Sequence, residues 1–198
     1  MMTQKQGTLD RRAVMSELLG ARGDSLIVTG LGSSCYDAGT ADHPNTFYLW
    51  GGMGAAAMMG LGLALAQPTR RVVVVTGDGE MLMAMGAFAT IGAKSPKNLS
   101  IVVIDNEHYS ETGMQPTHTG RGVDLSGIAD ACSFPTVQTV YTEKELGAAI
   151  GPLFKGESLM FCDIKVNTQR YPMSIRMRDG THIKNRFREN LLGQKAFD

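Results

Sequence analysis

VVVVTGDGEM, Val72 to Met81, decides how the rest of the chain is read. Consecutive valines put β-branched side chains on both faces of a strand. Both faces must then be buried, as in a parallel sheet covered by helices on either side. The run ends in Gly77-Asp78-Gly79, a turn that leads into a helix starting near Glu80. Glycine turns at such junctions commonly cradle phosphate on backbone N–H groups, helped by the positive end of the helix. A carboxylate at that place repels an anion unless a cation stands between them.

The alternation of strand and helix continues outward in both directions. Upstream, LDRRAVMSELLGAR sets Leu9, Ala13, Val14 and Leu18 at helical spacing, and SLIVTG (Ser25 to Gly30) reads as a short strand. GSSCYDAGTADHPNT is expected to be a polar loop, FYLW (Phe47 to Trp50) a second short strand, and GGMGAAAMMGLGLALAQ a helix of small residues stopped before Pro68. Downstream come one helix from about Glu80 to Ile91, the strand LSIVVID, and a loop rich in His, Thr and Gly from Glu107 to Val123. A short helix follows with Asp124 as its N-cap, then the strand TVQTVYT, the helix EKELGAAIGPLF and the strand SLMFCDIKV. The pattern predicts an α/β three-layer sandwich, a mostly parallel sheet with helices on both faces. Residues 1–166 are read as one domain. The basic tail 167–198, with a helix expected over NRFRENLL, is read as packing on that domain or on a partner.

A formal net charge of zero, with charged residues at 19%, removes the electrostatic case for nucleic acid or an anionic membrane as main partner. The 24 glycines and 13 methionines point to closely approached backbones and surface buried between subunits. Cys35, Cys132 and Cys162 are far apart and match no metal or redox spacing, so free thiols in a reducing cytoplasm are expected. The N-terminal MMTQKQGTLDRR has no apolar signal core. The apolar stretch Met53 to Ala66 is too short and too rich in glycine for a membrane span.

In a parallel sheet, ligands sit outside the carboxyl ends of the strands. Asp78 lies at one such end and Asn106 at the end of the next strand. Their side-chain oxygens are hard ligands that suit Mg²⁺, which takes few protein groups and completes its octahedron with phosphate and water. On this reading the carboxylate meets the metal, and the metal meets the phosphate. The same residues also fit an ordinary turn and helix caps.

GDG followed at this distance by Asp105-Asn106 resembles the motif of the thiamine-diphosphate-dependent decarboxylase superfamily, whose usual form ends in Asn-Asn. FYLWGGMGAAAMMGLGLALA, GDGEMLMAMGAFATIG and DNEHYSETGMQPTHTGRGVDLSGIADAC look like the sulfopyruvate and phosphonopyruvate decarboxylase branch, in particular its diphosphate-binding subunit or domain. The resemblance runs from about Ser25 to Val166. It implies thiamine diphosphate and Mg²⁺ as cofactors, with Asp78 and Asn106 binding the metal through side chains and His108 through its carbonyl. It implies that Gly32, Ser33, Ser34, Gly77, Gly79 and Glu80 border the diphosphate, and that Gly52 and Tyr109 lie at the same cofactor. Gly51 would accept a hydrogen bond from the aminopyrimidine, and Met53 would be the wedge that folds the cofactor; an ordinary core methionine is the competing reading.

The resemblance further implies a 2-oxo acid substrate and a second subunit carrying the pyrimidine-binding domain and the catalytic glutamate. Glu80, Glu107 and Glu111 all fall at the diphosphate end. Where the branch carries Arg-Glu after the first-loop serine, this chain has Cys35-Tyr36-Asp37, which leaves the substrate open, an aromatic 2-oxo acid included. Two other functions stay open beside the two-chain decarboxylase. One is the β subunit of a 2-oxo acid oxidoreductase, which would bring cysteines for an iron–sulfur cluster. The other is a non-catalytic thiamine-diphosphate binder.

Overall fold

The computed structural model describes residues 7–173 and 178–197. Its strands are β1 (Leu26–Thr29), β2 (Thr46–Tyr48), β3 (Val72–Gly77), β4 (Leu99–Asp105), the short β5 (His108–Tyr109) and β6 (Gln115–Pro116), β7 (Thr136–Val140) and β8 (Met160–Lys165). Six of them form one sheet in the order β2-β1-β3-β4-β8-β7, every neighbouring pair parallel. β5 and β6 pair as a small antiparallel hairpin inside the loop after β4.

The valine run explains the layering. Val73 and Val75 point into one core with Ile27, Val102 and Ile164, whereas Val72 and Val74 point into the other with Leu26, Ile101 and Phe161. The first core is roofed by α1 (Arg11–Gly20), α2 (Ser33–Ala38) and α7 (Glu143–Lys155). The second is roofed by α3 (Ala56–Ala66), α4 (Asp78–Met83), α5 (Met85–Lys94) and α6 (Leu125–Ala131). The architecture is therefore the expected three-layer α/β sandwich. α8 (Gly180–Leu192) packs along the edge strand β2, sending Ile183 into the first core and Phe187 into the second, edge-on to Phe47 at 5.7 Å. A strand edge covered in this way cannot template another chain. Among the described residues no helix is long and apolar enough to cross a membrane.

Local readings differ from the sequence in several places, among them α3, which starts at Ala56 rather than Gly51, and α8, which starts at Gly180 rather than Asn185. The expected polar loop after β1 contains α2, because Cys35 and Ala38, three residues apart, bury against the first core. The helix expected over 80–91 is two helices, broken at Ala84 with φ −99° and ψ 30°. β2 starts at Thr46 and ends at Tyr48, so Leu49 and Trp50 leave the sheet before Gly51. Asp124 occupies the N-cap position of α6 without a side-chain capping bond.

Candidate functional site

β1, β3 and β4 are neighbours in the sheet, and the connections leave β1 toward β2 and β3 toward β4. Their carboxyl ends therefore lie at the switch point where an α/β sheet opens a crevice. A cavity of about 150 Å³ sits there. The loop after β1 contributes Gly32, Ser33 and Ser34; the β3 turn contributes Gly77, Asp78, Gly79 and Glu80; the end of β4 contributes Asn106, His108 and Tyr109. Met53 closes one side and also lines a second hollow with Met83, Met85 and Tyr109. Gly51 and Gly52 are not among the lining residues; they stand in the turn just before Met53, where Gly52 has φ 75°.

Asp78 is buried, and its Oδ2 accepts from Thr117 Oγ1 at 2.5 Å, with Thr119 Oγ1 at 3.3 Å. Burial pushes its carboxyl up to about 7, the charge of Asp105 pushes the same way, and the two threonine hydroxyls oppose them. Asp105 is buried as well; its Oδ1 accepts from Thr119 Oγ1 at 2.9 Å and from the Glu107 N–H at 2.8 Å, and its Oδ2 takes an ion pair from Lys165. Lys165 also pairs with Asp163 at 2.9 Å. Burial works against the Lys165 charge, but Asp163 and Asp105 outweigh it and hold the ammonium above its ordinary value. Asp105 and Asp163 thus share the buried Lys165, while Asp78, at the cavity, is met by the threonine hydroxyls and by the charge of Asp105.

Asn106 Oδ1 accepts from the His108 N–H at 3.0 Å, and the His108 Nδ1 lies 2.9 Å from the Asn106 carbonyl. This tight turn, with Glu107 at φ 62°, keeps the amide oxygen at the strand end. Gly79 has no space for a side chain: a Cβ there would come within 2.7 Å of the Tyr109 ring. One buried carboxylate, one oriented amide oxygen and a backbone bare of side chains fit a hard divalent cation bridging to a phosphate. Asp78 and Asn106 would hold it.

Glu80 acts through its side chain. Its Oε2 accepts from the Leu31 N–H at 2.7 Å, and its Oε1 from those of Gly54 and Ala56 at 3.3 and 3.4 Å. One carboxylate thereby fixes the loop after β1 to the segment that carries Met53. Sequence reading did not find Thr117, Thr119 or Arg11, which lines the same cavity from α1. Nothing local marks them, since their neighbours are brought by long-range packing. Cys35 and Cys162 are buried free thiols, which burial pushes up to about 11 and about 12. Thiols in that state are core filler rather than the thiolates a cluster requires.

Residues 31–164 match the family described as thiamine pyrophosphate enzyme, C-terminal TPP binding domain. The chain is 45% identical over 103 residues to the sulfopyruvate decarboxylase subunit beta of Methanocaldococcus jannaschii, covering 52% of this chain and 54% of that protein. It is 41% identical over 128 residues to a phosphonopyruvate decarboxylase of Streptomyces viridochromogenes, covering 64% of this chain and 32% of that protein. The matches therefore span about half, or less, of these relatives' own length. In fold it is similar to the crystal structure of benzoylformate decarboxylase from Polynucleobacter necessarius, with a TM-score of 0.65 at 21% identity over 87% of this chain and 36% of that one.

Proposed function

The chain belongs to the thiamine pyrophosphate enzyme family through that C-terminal TPP-binding domain, and from this premise we propose that it is the diphosphate-binding subunit of a two-chain 2-oxo acid decarboxylase. The observation that carries the reading is the convergence of Asp78 and Asn106, from adjacent strand ends, on a cavity that Gly32, Ser33 and Ser34 also line. Thiamine diphosphate, when bound, supplies the electron sink that lets a 2-oxo acid release CO₂. Asp78 and Asn106 bind Mg²⁺, with the His108 carbonyl as a third protein ligand. Gly32, Ser33, Ser34, Gly77 and Gly79 let the backbone approach the diphosphate, and Tyr109 packs over Gly79. Met53, which lines the cavity, would serve as the wedge that shapes the cofactor, and the carbonyl of Gly51 would accept from the aminopyrimidine.

The glutamate required at the pyrimidine end is assigned to a partner chain. Glu80 is committed to three backbone N–H groups, and Glu111 lines the cavity beside Gly32. The relative named as a β subunit supports the two-chain form. Sulfopyruvate and phosphonopyruvate, named in the relatives, lead the substrate class, with other 2-oxo acids behind them. The free cysteines fit the cytoplasm.

The test has two parts. Calorimetry on the purified chain is expected to show thiamine diphosphate binding that depends on Mg²⁺ and is weakened about 10-fold or more in Asp78→Ala. Assays with pyruvate, sulfopyruvate, phosphonopyruvate and benzoylformate are expected to show CO₂ release only when the partner chain is added. Rapid turnover by this chain alone would refute the two-chain form, and equal cofactor affinity in Asp78→Ala would refute the metal site.

A further inference from the structure

We propose that Arg11 binds the cofactor's diphosphate, as a guanidinium that the first turn of α1 inserts into the anion end of the cavity. The inference rests on the reading that the cavity takes a diphosphate. Arg11 lies upstream of the span 31–164 that matches the family. It opens a helix on the outer layer, yet it is only 5% exposed. Its Nε donates to Asp37 Oδ2 at 2.5 Å, its Nη2 reaches Asp37 Oδ1 at 3.5 Å, and its Nη1 donates to Ser33 Oγ at 2.8 Å. Ser33 Oγ lies 3.1 Å from Ser110 Oγ, on the loop after β4. The guanidinium therefore ties α1 to α2 and, through Ser33, to the loop after β4.

Arg11, together with Ser33, Ser110 and Glu111, borders two neighbouring spaces. It lines the 150 Å³ cavity together with Ser33, Asp78 and Asn106, and an outer cavity of about 380 Å³ together with Tyr36 and Tyr171. A guanidinium has five N–H groups in a fixed fork, and the bonds to Asp37 and Ser33 engage only part of it. Its charge is not cancelled by Asp37, because that carboxylate is shared: Arg12 Nε donates to Asp37 Oδ1 at 2.9 Å. Two guanidiniums meet one buried carboxylate, with Asp10 also near Arg11, and of the two only Arg11 lines the cavity. Three carboxylates line the same cavity, Asp78, Glu80 and Glu111, the last beside Gly32. A buried cation with N–H capacity left, next to a serine in the phosphate loop, is the donor set that a phosphate oxygen takes. Arg12, by contrast, donates to the Pro172 carbonyl and does not line the cavity, although both guanidiniums lie over the Tyr171 ring, Arg12 at 4.5 Å and Arg11 at 5.4 Å.

The alternative is that Arg11 only pins α1 onto α2, and the experiment separates the two. Thiamine diphosphate and inorganic pyrophosphate, each with Mg²⁺, are titrated calorimetrically into the full chain, its Arg11→Met variant and its Arg12→Met variant. Arg11→Met/Asp37→Asn, which removes both members of the buried pair, stands in if the single variant does not fold. Arg11→Met, or the double variant, is expected to weaken both ligands about 10-fold or more, while Arg12→Met stays within about twofold. Arg11→Lys is expected to recover part of the loss. Equal ligand affinities in the wild type and the Arg11→Met variant, or equal losses in Arg11→Met and Arg12→Met, would overturn the assignment. So would a loss confined to the 2-oxo acid substrate. Absence of binding by the wild-type chain would instead overturn the cofactor reading itself.

Discussion

Asp78 is held in two directions at once: burial and Asp105 push its carboxyl up to about 7, from an ordinary 3.8, while Thr117 and Thr119 pull it down. Between those two values the folded protein keeps a proton that the unfolded chain has lost. Stability contributed by the protonated form is therefore complete below about 3.8 and lost as pH rises through about 7. Asp163, pushed up to about 7 by burial and by Asp105, acts in the same direction. The metal-free protein is expected to melt lower at pH 8 than at pH 5.5. Asp78→Asn is expected to flatten that slope in part and to melt higher than the wild type at pH 8, by ~2–4 °C for each kcal/mol gained. Identical melting profiles of the two proteins across this range would contradict it. Thr117→Val removes a donor to Asp78 without changing side-chain volume, and Mg²⁺-dependent cofactor affinity should fall about 5- to 10-fold in calorimetry. At this scale the sequence was half legible. Asp78 and Asn106 are announced by a local motif at strand ends. Thr117, Thr119 and Arg11 acquire their roles only when a loop and a helix distant in sequence close over the same atoms.

At the scale of elements, α3 shows how a helix with no polar face divides its duties. Ala56, Ala57, Gly60, Leu61 and Ala64 turn inward, and a Cβ on Gly60 would strike the Val74 side chain in the middle of the sheet. Met58, Met59 and Leu65 turn outward and are exposed. Gly62, on the outer side, has nothing within 4 Å of the place a Cβ would take. Gly60→Ala is therefore expected to destabilise the chain by roughly 1–3 kcal/mol through overpacking against a stiff β-branched neighbour. Gly62→Ala should stabilise it by about 0.5–1 kcal/mol through helix propensity alone. Denaturant titrations of the isolated chain measure both, and the same sign for the two would refute this division of faces. The helix itself was legible as a run of small apolar residues ended by Gln67 before Pro68. Which face would be buried was not, because a helix apolar all round has no moment to read. α2 was illegible for the opposite reason: four of its six residues are buried, but two of those, Ser34 and Asp37, are polar and the other two, Cys35 and Ala38, are small, so six residues of helix look like a loop until the core beneath them exists.

For the molecule as a whole, Met173, Leu192 and Phe197 are exposed in the C-terminal segment, and the other exposed large apolar side chains gather around α3. Met58, Met59 and Leu65 lie on the outer face of α3, Trp50 and Met53 on the segment that enters it, and Met83 and Met85 at the break between α4 and α5, with Met83 against Gly54. Scattered exposed hydrophobics need no explanation, but a run along one helix that continues to the rim of a cofactor cavity marks a surface that another chain covers. It is also the side on which Met53 stands, so on the proposed two-chain reading a partner seated there would stand next to the cavity and could bring the glutamate assigned to it. Met83 is 67% exposed, which makes it a clean probe: changing it should alter the isolated fold by no more than about 0.5 kcal/mol. Met83→Glu places a charge in what becomes a desolvated contact, where an unpaired ion costs several kcal/mol. The variant is expected to melt like the wild type and to keep its Mg²⁺-dependent cofactor binding when alone. Mixed with the partner chain, it should fail to co-elute in size-exclusion chromatography at concentrations where the wild type forms the complex, and decarboxylation should be lost with assembly. A Met83→Glu chain that still assembles and turns over normally would place the interface elsewhere, and the outer face of α3 would then need another explanation.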